Sequence, residues 1–254
     1  DSATGFSLDN KGYMGTGYDG AIFYRDLWAY DPAVNAWTQK ASFGGESRQS
    51  ATGFPIGNKG YIGIGWGGNA NNDLREYDPT ANAWAEKANF GGAGRYGAAG
   101  FSIGSKGYIG TGADESYYYR DFWEYDPVAN AWTQKASFGG ESRESATGFS
   151  IGNKGYIGAG YDGSHLADFW EYDPAANVWT RKADFGGGPR YGAVGFSAAD
   201  RGYMGTGSDA SYYYNDFWEY DPVVNTWSKK ADFGGTPRHL ATGFSIGNKG
   251  YLGT

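Results

Sequence analysis

Apolar and polar residues along this chain change over in short runs. Residues 146–151 (Ala-Thr-Gly-Phe-Ser-Ile), 155–160 (Gly-Tyr-Ile-Gly-Ala-Gly), 168–172 (Asp-Phe-Trp-Glu-Tyr) and 178–182 (Val-Trp-Thr-Arg-Lys) are typical. Each run is bounded by Gly, Asn, Asp or Pro, a pattern that predicts short β-strands joined by tight turns. No stretch sustains an apolar period of 3.6 residues, so helix is expected to be nearly absent. Asp-Pro-x-x-Asn between the third and fourth runs predicts a hairpin, because proline presets φ and Asn tolerates turn conformations. Glycines inside the second run suit a strand that neighbouring backbone or large rings approach closely.

The four runs recur as a unit. Gly-Tyr falls at Tyr13, Tyr61, Tyr108, Tyr156, Tyr203 and Tyr251, with spacings of 48, 47, 48, 47 and 48. Tyr-Asp-Pro-x-x-Asn-x-Trp recurs from Tyr30, Tyr77, Tyr125, Tyr172 and Tyr220, and Phe-Gly-Gly-x-x-Arg ends at Arg48, Arg95, Arg143, Arg190 and Arg238. Five repeats are complete, at about 1–48, 49–95, 96–143, 144–190 and 191–238, and 239–254 repeats the first two strands. A four-stranded unit of this length predicts a radial array of small sheets with short, protected edges. The whole chain 1–254 is read as one such domain.

These landmarks resemble the kelch family: Arg at the blade entrance, Gly-Tyr-x-Gly-x-Gly in the second strand, and Tyr seven positions before Trp. The usual Gly-Gly doublet closing the second strand reads here as Gly-x-Gly. The resemblance implies an all-β, kelch-type β-propeller and is strongest to bacterial secreted or surface proteins. The loop between the second and third strands is one residue longer in repeats one, three and five. Such alternation closes evenly on an even blade number, so six blades with the last incomplete are favoured over five. About 31 further residues would complete the sixth blade, and they are expected before Asp1, where the chain opens mid-pattern.

Composition narrows the function. Glycine is high at 45 while proline is only 8, which excludes collagen-like and low-complexity chains. Aromatics at 19% point to a packed core. The absence of cysteine removes disulfides, thiolate metal sites and thiol nucleophiles. Net charge is −7 with no basic run, so nucleic-acid binding is not expected. No apolar run of 18 residues offers a membrane span.

Strand direction alternates within a blade, so the inter-blade loops and the loops between strands two and three share one face. That face gathers the arginines Arg48, Arg95, Arg143, Arg190 and Arg238, each followed by a residue of its own: Gln49, Tyr96, Glu144, Tyr191 and His239. It also gathers Phe23, Tyr24 and Arg25; Tyr117, Tyr118, Tyr119 and Arg120; Tyr212, Tyr213 and Tyr214; and His165, with Tyr18, Trp66 and Tyr161 nearby. Arg suits oxyanions through its planar fork, and Tyr and Trp suit peptides and sugar rings. In kelch proteins this is the usual partner-binding face.

A bland reading stands beside the sharp one. An Arg in every blade also suits blade-end carbonyls or a neighbouring carboxylate, and the third-strand Trp28, Trp123, Trp170 and Trp218 read as core. Asp26, Asp73, Asp121, Asp168 and Asp216 read as turn-capping carboxylates. The Gly-x-Gly-x-x-Gly matches lack the following helix that dinucleotide binding needs. Asp19-Gly20 and Asp162-Gly163 do not match the calcium loop.

The expected function is therefore a non-catalytic binding module, extracellular or at the cell surface (periplasmic as the alternative), recognising a protein, peptide or glycan without a cofactor or metal. A structural subunit of a larger surface complex is the second reading. A sugar-active enzyme using Arg143, Glu144 and Glu141 is the third, weakened because Glu46 and Arg48 repeat the set two blades earlier.

Overall fold

The computed structural model describes residues 1–253, and the described residues form strands and turns without helix. Five four-stranded antiparallel sheets follow one another, each strand hydrogen-bonded to the next in sequence. The fourth sheet comprises Thr147–Ile151, Lys154–Gly158, Phe169–Asp173 and Val178–Arg181, within two residues of the predicted runs. A sixth sheet has two strands, Thr242–Ile246 and Lys249–Gly253.

The sheets close into a ring through backbone hydrogen bonds at the axis. Ser2, Ser50, Gly97, Ser145, Gly192 and Leu240 hold φ between 50° and 61°. Each donates its N–H to the carbonyl of its counterpart in the preceding sector at 2.7–3.1 Å. The bond from Ser2 to Leu240, at 3.0 Å, completes the circle. The ring thus has six sectors, and among the described residues the sixth comprises two inner strands.

Large rings pack between sectors as the glycine pattern predicts. The Phe6 ring lies 2.2 Å from where a Cβ on Gly60 would stand, and Phe244 lies 1.9 Å from that of Gly12. Only glycine admits that approach. Phe101, Tyr108, Phe122 and Phe138 of the third blade form one buried cluster with Ile157 and Tyr172 of the fourth. The hairpin Asn reaches further than its own turn. Asn130 Oδ1 accepts from the Tyr125 hydroxyl at 2.8 Å and from the N–H of Ala88, in the preceding blade, at 2.9 Å. Trp132 Nε1 donates to the Ala88 carbonyl at 3.1 Å. Asn and Trp together hook each outer strand to its neighbour.

The arginines are inter-blade clamps. Arg48, Arg95, Arg143 and Arg190 are 0–1% exposed. Each grips both carboxylate oxygens of an aspartate in the next blade: Asp73, Asp121, Asp168 and Asp216 respectively. Each also donates to the carbonyl of Ile64, Thr111, Ala159 or Thr206 at 2.8–3.0 Å. Those four residues are the x of Gly-x-Gly and hold φ of 52–62°. That conformation costs a non-glycine residue about 1–2 kcal/mol, and the guanidinium bond fixes the carbonyl it exposes. A phenylalanine ring lies 4.8–5.0 Å from each guanidinium carbon.

Two expectations are corrected here. The aspartates at the start of the third strands in blades two to five serve as clamp partners rather than turn caps; Asp121, Asp168 and Asp216 also accept from the Trp two residues on, and Asp73 lies 3.6 Å from Arg75 as an ion pair. The first-blade Trp28 is 37% exposed rather than core, because the sector beside it carries only inner strands.

Breaking a buried pair strands its partner's charge, at a cost of about 3–5 kcal/mol. Arg143→Ala should lower the free energy of unfolding in urea by about that amount. Replacing both partners together, Arg143→Met with Asp168→Leu, should cost less than Arg143→Ala alone, since no charge is left buried.

Candidate functional site

The residue after each clamp arginine starts the inner strand at the rim of the axis. There it forms a two-bond antiparallel bridge with the end of the second strand: Gln49 with Trp66, Tyr96 with Ala113, Glu144 with Tyr161 and Tyr191 with Ser208, at 2.9–3.1 Å. Asp1 and Tyr18 pair in the same way. The clamp fixes one side of this position and the bridge fixes the other, so the side chain projects from rigid backbone.

These side chains and the ring of axial hydrogen bonds enclose a cavity of about 310 Å³, lined by Gln49, Trp66, Tyr96, Glu144 and Tyr191 over a floor of Ser2, Ser50, Ser145 and Leu240. That volume is at the small end of the range for small-molecule sites, about 300–1,000 Å³. Trp66 and Tyr96 meet edge to face with centroids 5.5 Å apart. Across the mouth runs an arc of rings in contact: Tyr118, Tyr161, His165, Tyr191, His239 and Tyr213, with successive centroids 5.0–6.2 Å apart. Below the floor the channel narrows between small residues, Ala51, Ala98, Ala146, Ala193 and Ala241.

The cavity disfavours charge. Burial pushes the Glu144 carboxyl above its ordinary 4.5, and burial pulls the His239 imidazole below its ordinary 6.5. Both shifts favour the neutral form.

The residues expected on this face divide into three groups. Arg48, Arg95, Arg143 and Arg190 are corrected: buried in clamps, their guanidinium groups present no surface to a ligand. Arg238 is half-buried over Phe233 and donates to Thr236. The last tyrosine of each long loop is locked in place. Tyr24, Tyr119 and Tyr214 donate their hydroxyls to Asp19, Asp114 and Asp209, whose carboxylates also cap their own turns. These bonds hold Asp19 and Asp209 down to about 2, the tyrosine hydroxyl being the largest cause in each. Tyr119 and Tyr214 also cover the clamps, 4.1 and 4.0 Å above Arg95 and Arg190.

The second group faces the axis: Trp66, Tyr96, Tyr161 and Tyr191, with Tyr118, His165 and Tyr213 at equivalent bridge positions. Tyr18 and Phe23 pair in the first blade, 4.8 Å apart. The third group points outward. Tyr117 is 69% and Tyr212 67% exposed, while Arg25 and Arg120 are exposed beside the clamps.

Glu141 is exposed while Arg143 is buried, so these two do not converge with Glu144 into one acid–base set. Among the described residues no group of three His, Asp or Glu side chains is placed to hold a metal ion.

No protein-family model and no curated protein matches this chain. The solved structure of YjhT superposes on it with a TM-score of 0.82 at 17% identity, over 96% of this chain and 86% of that one. The chain is thus a β-propeller, and at that identity the likeness speaks for the fold alone.

The sequence places Gln49, Glu144 and His239 on this face but does not mark them as binding residues, although a signal was present. The position after the clamp reads Asp1, Gln49, Tyr96, Glu144, Tyr191 and His239, a different residue in nearly every sector, while flanking positions repeat.

A raised carboxyl pKa means that the folded state binds the proton more tightly than the unfolded chain does. Stability should therefore fall as pH rises from 4.5 through the folded value. Glu144→Gln should remove that part of the slope, so its melting temperature should gain on the parent's across the window. Parallel melting curves for the two would contradict the assignment.

Proposed function

We propose that this protein is a kelch-type, non-catalytic binding module that works outside the cytoplasm, at a cell surface, and holds a glycan or a peptide segment in the axial cavity of its loop face. One observation carries the reading: residue identity departs from the repeat where side chains line the cavity, and holds to it where they only build the blade. Packing alone asks for the same residue in every sector, as the clamps and the Phe–Gly contacts show.

The lining suits an uncharged, hydroxyl-bearing ligand. Trp66, Tyr96 and Tyr191 offer faces on which a sugar ring or an apolar side chain can lie. Gln49, Ser50, Ser145 and Glu144 supply donors and acceptors around them. A ligand hydroxyl would give the Glu144 carboxyl a donor inside the cavity, where an unpaired charge is costly. The exposed Tyr117 and Tyr212 flank the mouth as secondary contacts for a longer ligand. The placement at a cell surface rests on the resemblance to secreted kelch proteins.

An array of neutral oligosaccharides and peptides, probed with the intact protein, tests this reading. Trp66→Ala and Tyr96→Ala should each weaken the strongest hit at least about tenfold, as for a buried aromatic anchor. Tyr117→Ala and Tyr212→Ala should weaken it by less than about threefold. A hit indifferent to Trp66 and Tyr96 at unchanged melting temperature would move the site off the axis, and an array without hits would remove the reading.

A further inference from the structure

The second blade breaks the repeat beside its clamp. The other third strands carry Trp28, Trp123, Trp170 and Trp218. The second blade carries Arg75 in the same register, opposite Ile62 as Trp123 is opposite Ile109. In the loop, Asn71 stands where Tyr24, Tyr119 and Tyr214 stand. The carbonyl of each accepts from the N–H of the arginine closing its own blade, at 3.0–3.1 Å. Tyr119 and Tyr214 roof the clamps of Arg95 and Arg190, whereas Asn71 brings no ring over Arg48.

Two aromatic rings are thus replaced by polar side chains. Beside them lies a cavity of about 330 Å³ between the first and second blades, lined by Glu46, Asn69, Asn71, Asn72, Asp73 and Arg75 above the Arg48 clamp. Its wall is regular strand. Lys59–Trp66 and Ala70–Asp78 run to eight and nine residues and stay paired up to Trp66 and Ala70. The same strands have five residues each in the other complete blades.

Charge in this wall is balanced, while hydrogen bonding is not. Arg75 lies 3.6 Å from Asp73 Oδ2 and 3.3 Å from Glu86 Oε2, so two carboxylates offset its charge. Its Nε is nonetheless buried without an acceptor, because 3.6 Å is too long for a hydrogen bond. In blades three to five a Trp Nε1 donates to the equivalent aspartate oxygen at 2.7–2.8 Å, and Asp73 lacks that donor. Asn71 Nδ2 reaches the carbonyls of Gly65 and Asn69 only at 3.4 Å.

We propose that this cavity is a second ligand site on the loop face, and that it takes a neutral, polyhydroxylated group: a single sugar residue. A hydroxyl both accepts and donates. Adjacent hydroxyls therefore take the unmatched donors of Arg75 and give to Asp73, and the three amides serve either role. An anion would face Glu46 and Asp73, and a cation would face Arg75; neither finds a free counter-charge. The volume is at the small end of the range for small-molecule sites, about 300–1,000 Å³, which suits one ring rather than a chain. No aromatic side chain lines the wall, so hydrogen bonds carry the recognition, and the dissociation constant should be about 1–10 mM. The site shares no lining residue with the axial cavity and does not rest on it.

The test is a titration of the intact, isotope-labelled protein with glucose, galactose and mannose, read by backbone amide shifts. Glucuronate and glucosamine serve as charged counterparts. At least one neutral hexose should shift the amides of residues 69–75 saturably, and the charged sugars should bind at least about threefold more weakly. Arg75→Trp restores the residue of the other blades. It should weaken this binding at least about tenfold without lowering the melting temperature. Asn71→Ala should weaken it about threefold. Shifts confined to Gln49, Tyr96, Glu144 and Tyr191 would overturn this site while supporting the axial one. The proposal is also overturned by absence of saturable shifts at 69–75 up to about 30 mM sugar, by tighter binding of either charged sugar, or by undiminished binding to Arg75→Trp and Asn71→Ala.

Discussion

The architecture depends on a buried arginine that belongs to one blade and is satisfied by the next. A guanidinium taken fully out of water is tolerated only when most of its donors are matched, and here all are except Arg190 Nε. Two parallel bonds go to an aspartate, one to the carbonyl of a left-handed residue, and in three of the four clamps one from Nε to a carbonyl two residues back. Because the partners lie in different sheets, no blade can satisfy its own clamp. The interaction therefore acts between modules and fixes their angle and separation.

The clamp also builds the functional face without touching a ligand. It immobilises the chain immediately before the first rim residue, while a two-bond bridge to the second strand immobilises the other side. The axial circle of hydrogen bonds lies one residue further on and forms a floor. Four side chains, Gln49, Tyr96, Glu144 and Tyr191, are thereby presented to the axis from rigid backbone, free to vary because none of them carries the fold. A cavity of that kind is pre-organised, so binding costs little ordering of loops. The locked tyrosines of the long loops contribute in the same indirect way, roofing the clamps while their neighbours face outward.

Much of this was legible in the residues. Strand runs, the hairpin at Asp-Pro-x-x-Asn and the glycine opposite a large ring are local signals with local causes, and they appear where expected. The odd–even loop pattern pointed to six sectors, as found in the axial circle. The arginines read both as candidate ligand contacts and as partners of blade-end carbonyls or a carboxylate, because their chemistry suits oxyanions equally well on a surface or in a core; the second reading is the one found. Burial was decided by an aspartate 25 or 26 positions away, across a blade boundary. Trp28 was misjudged for the converse reason: its sequence matches Trp123 and Trp170, but the sector beside it is smaller.

The sequence by itself determined the module. Alternation of period two, turn residues at fixed offsets and repetition near 47 residues specify a small four-stranded sheet and its multiplication, since each acts over a few neighbouring positions. Only the tertiary structure decided which polar residues face water and which face one another. That choice depends on contacts between sheets, and a residue's identity carries no record of what the next sheet brings against it. The axial cavity belongs to this second class, because it is a space between modules rather than a property of one.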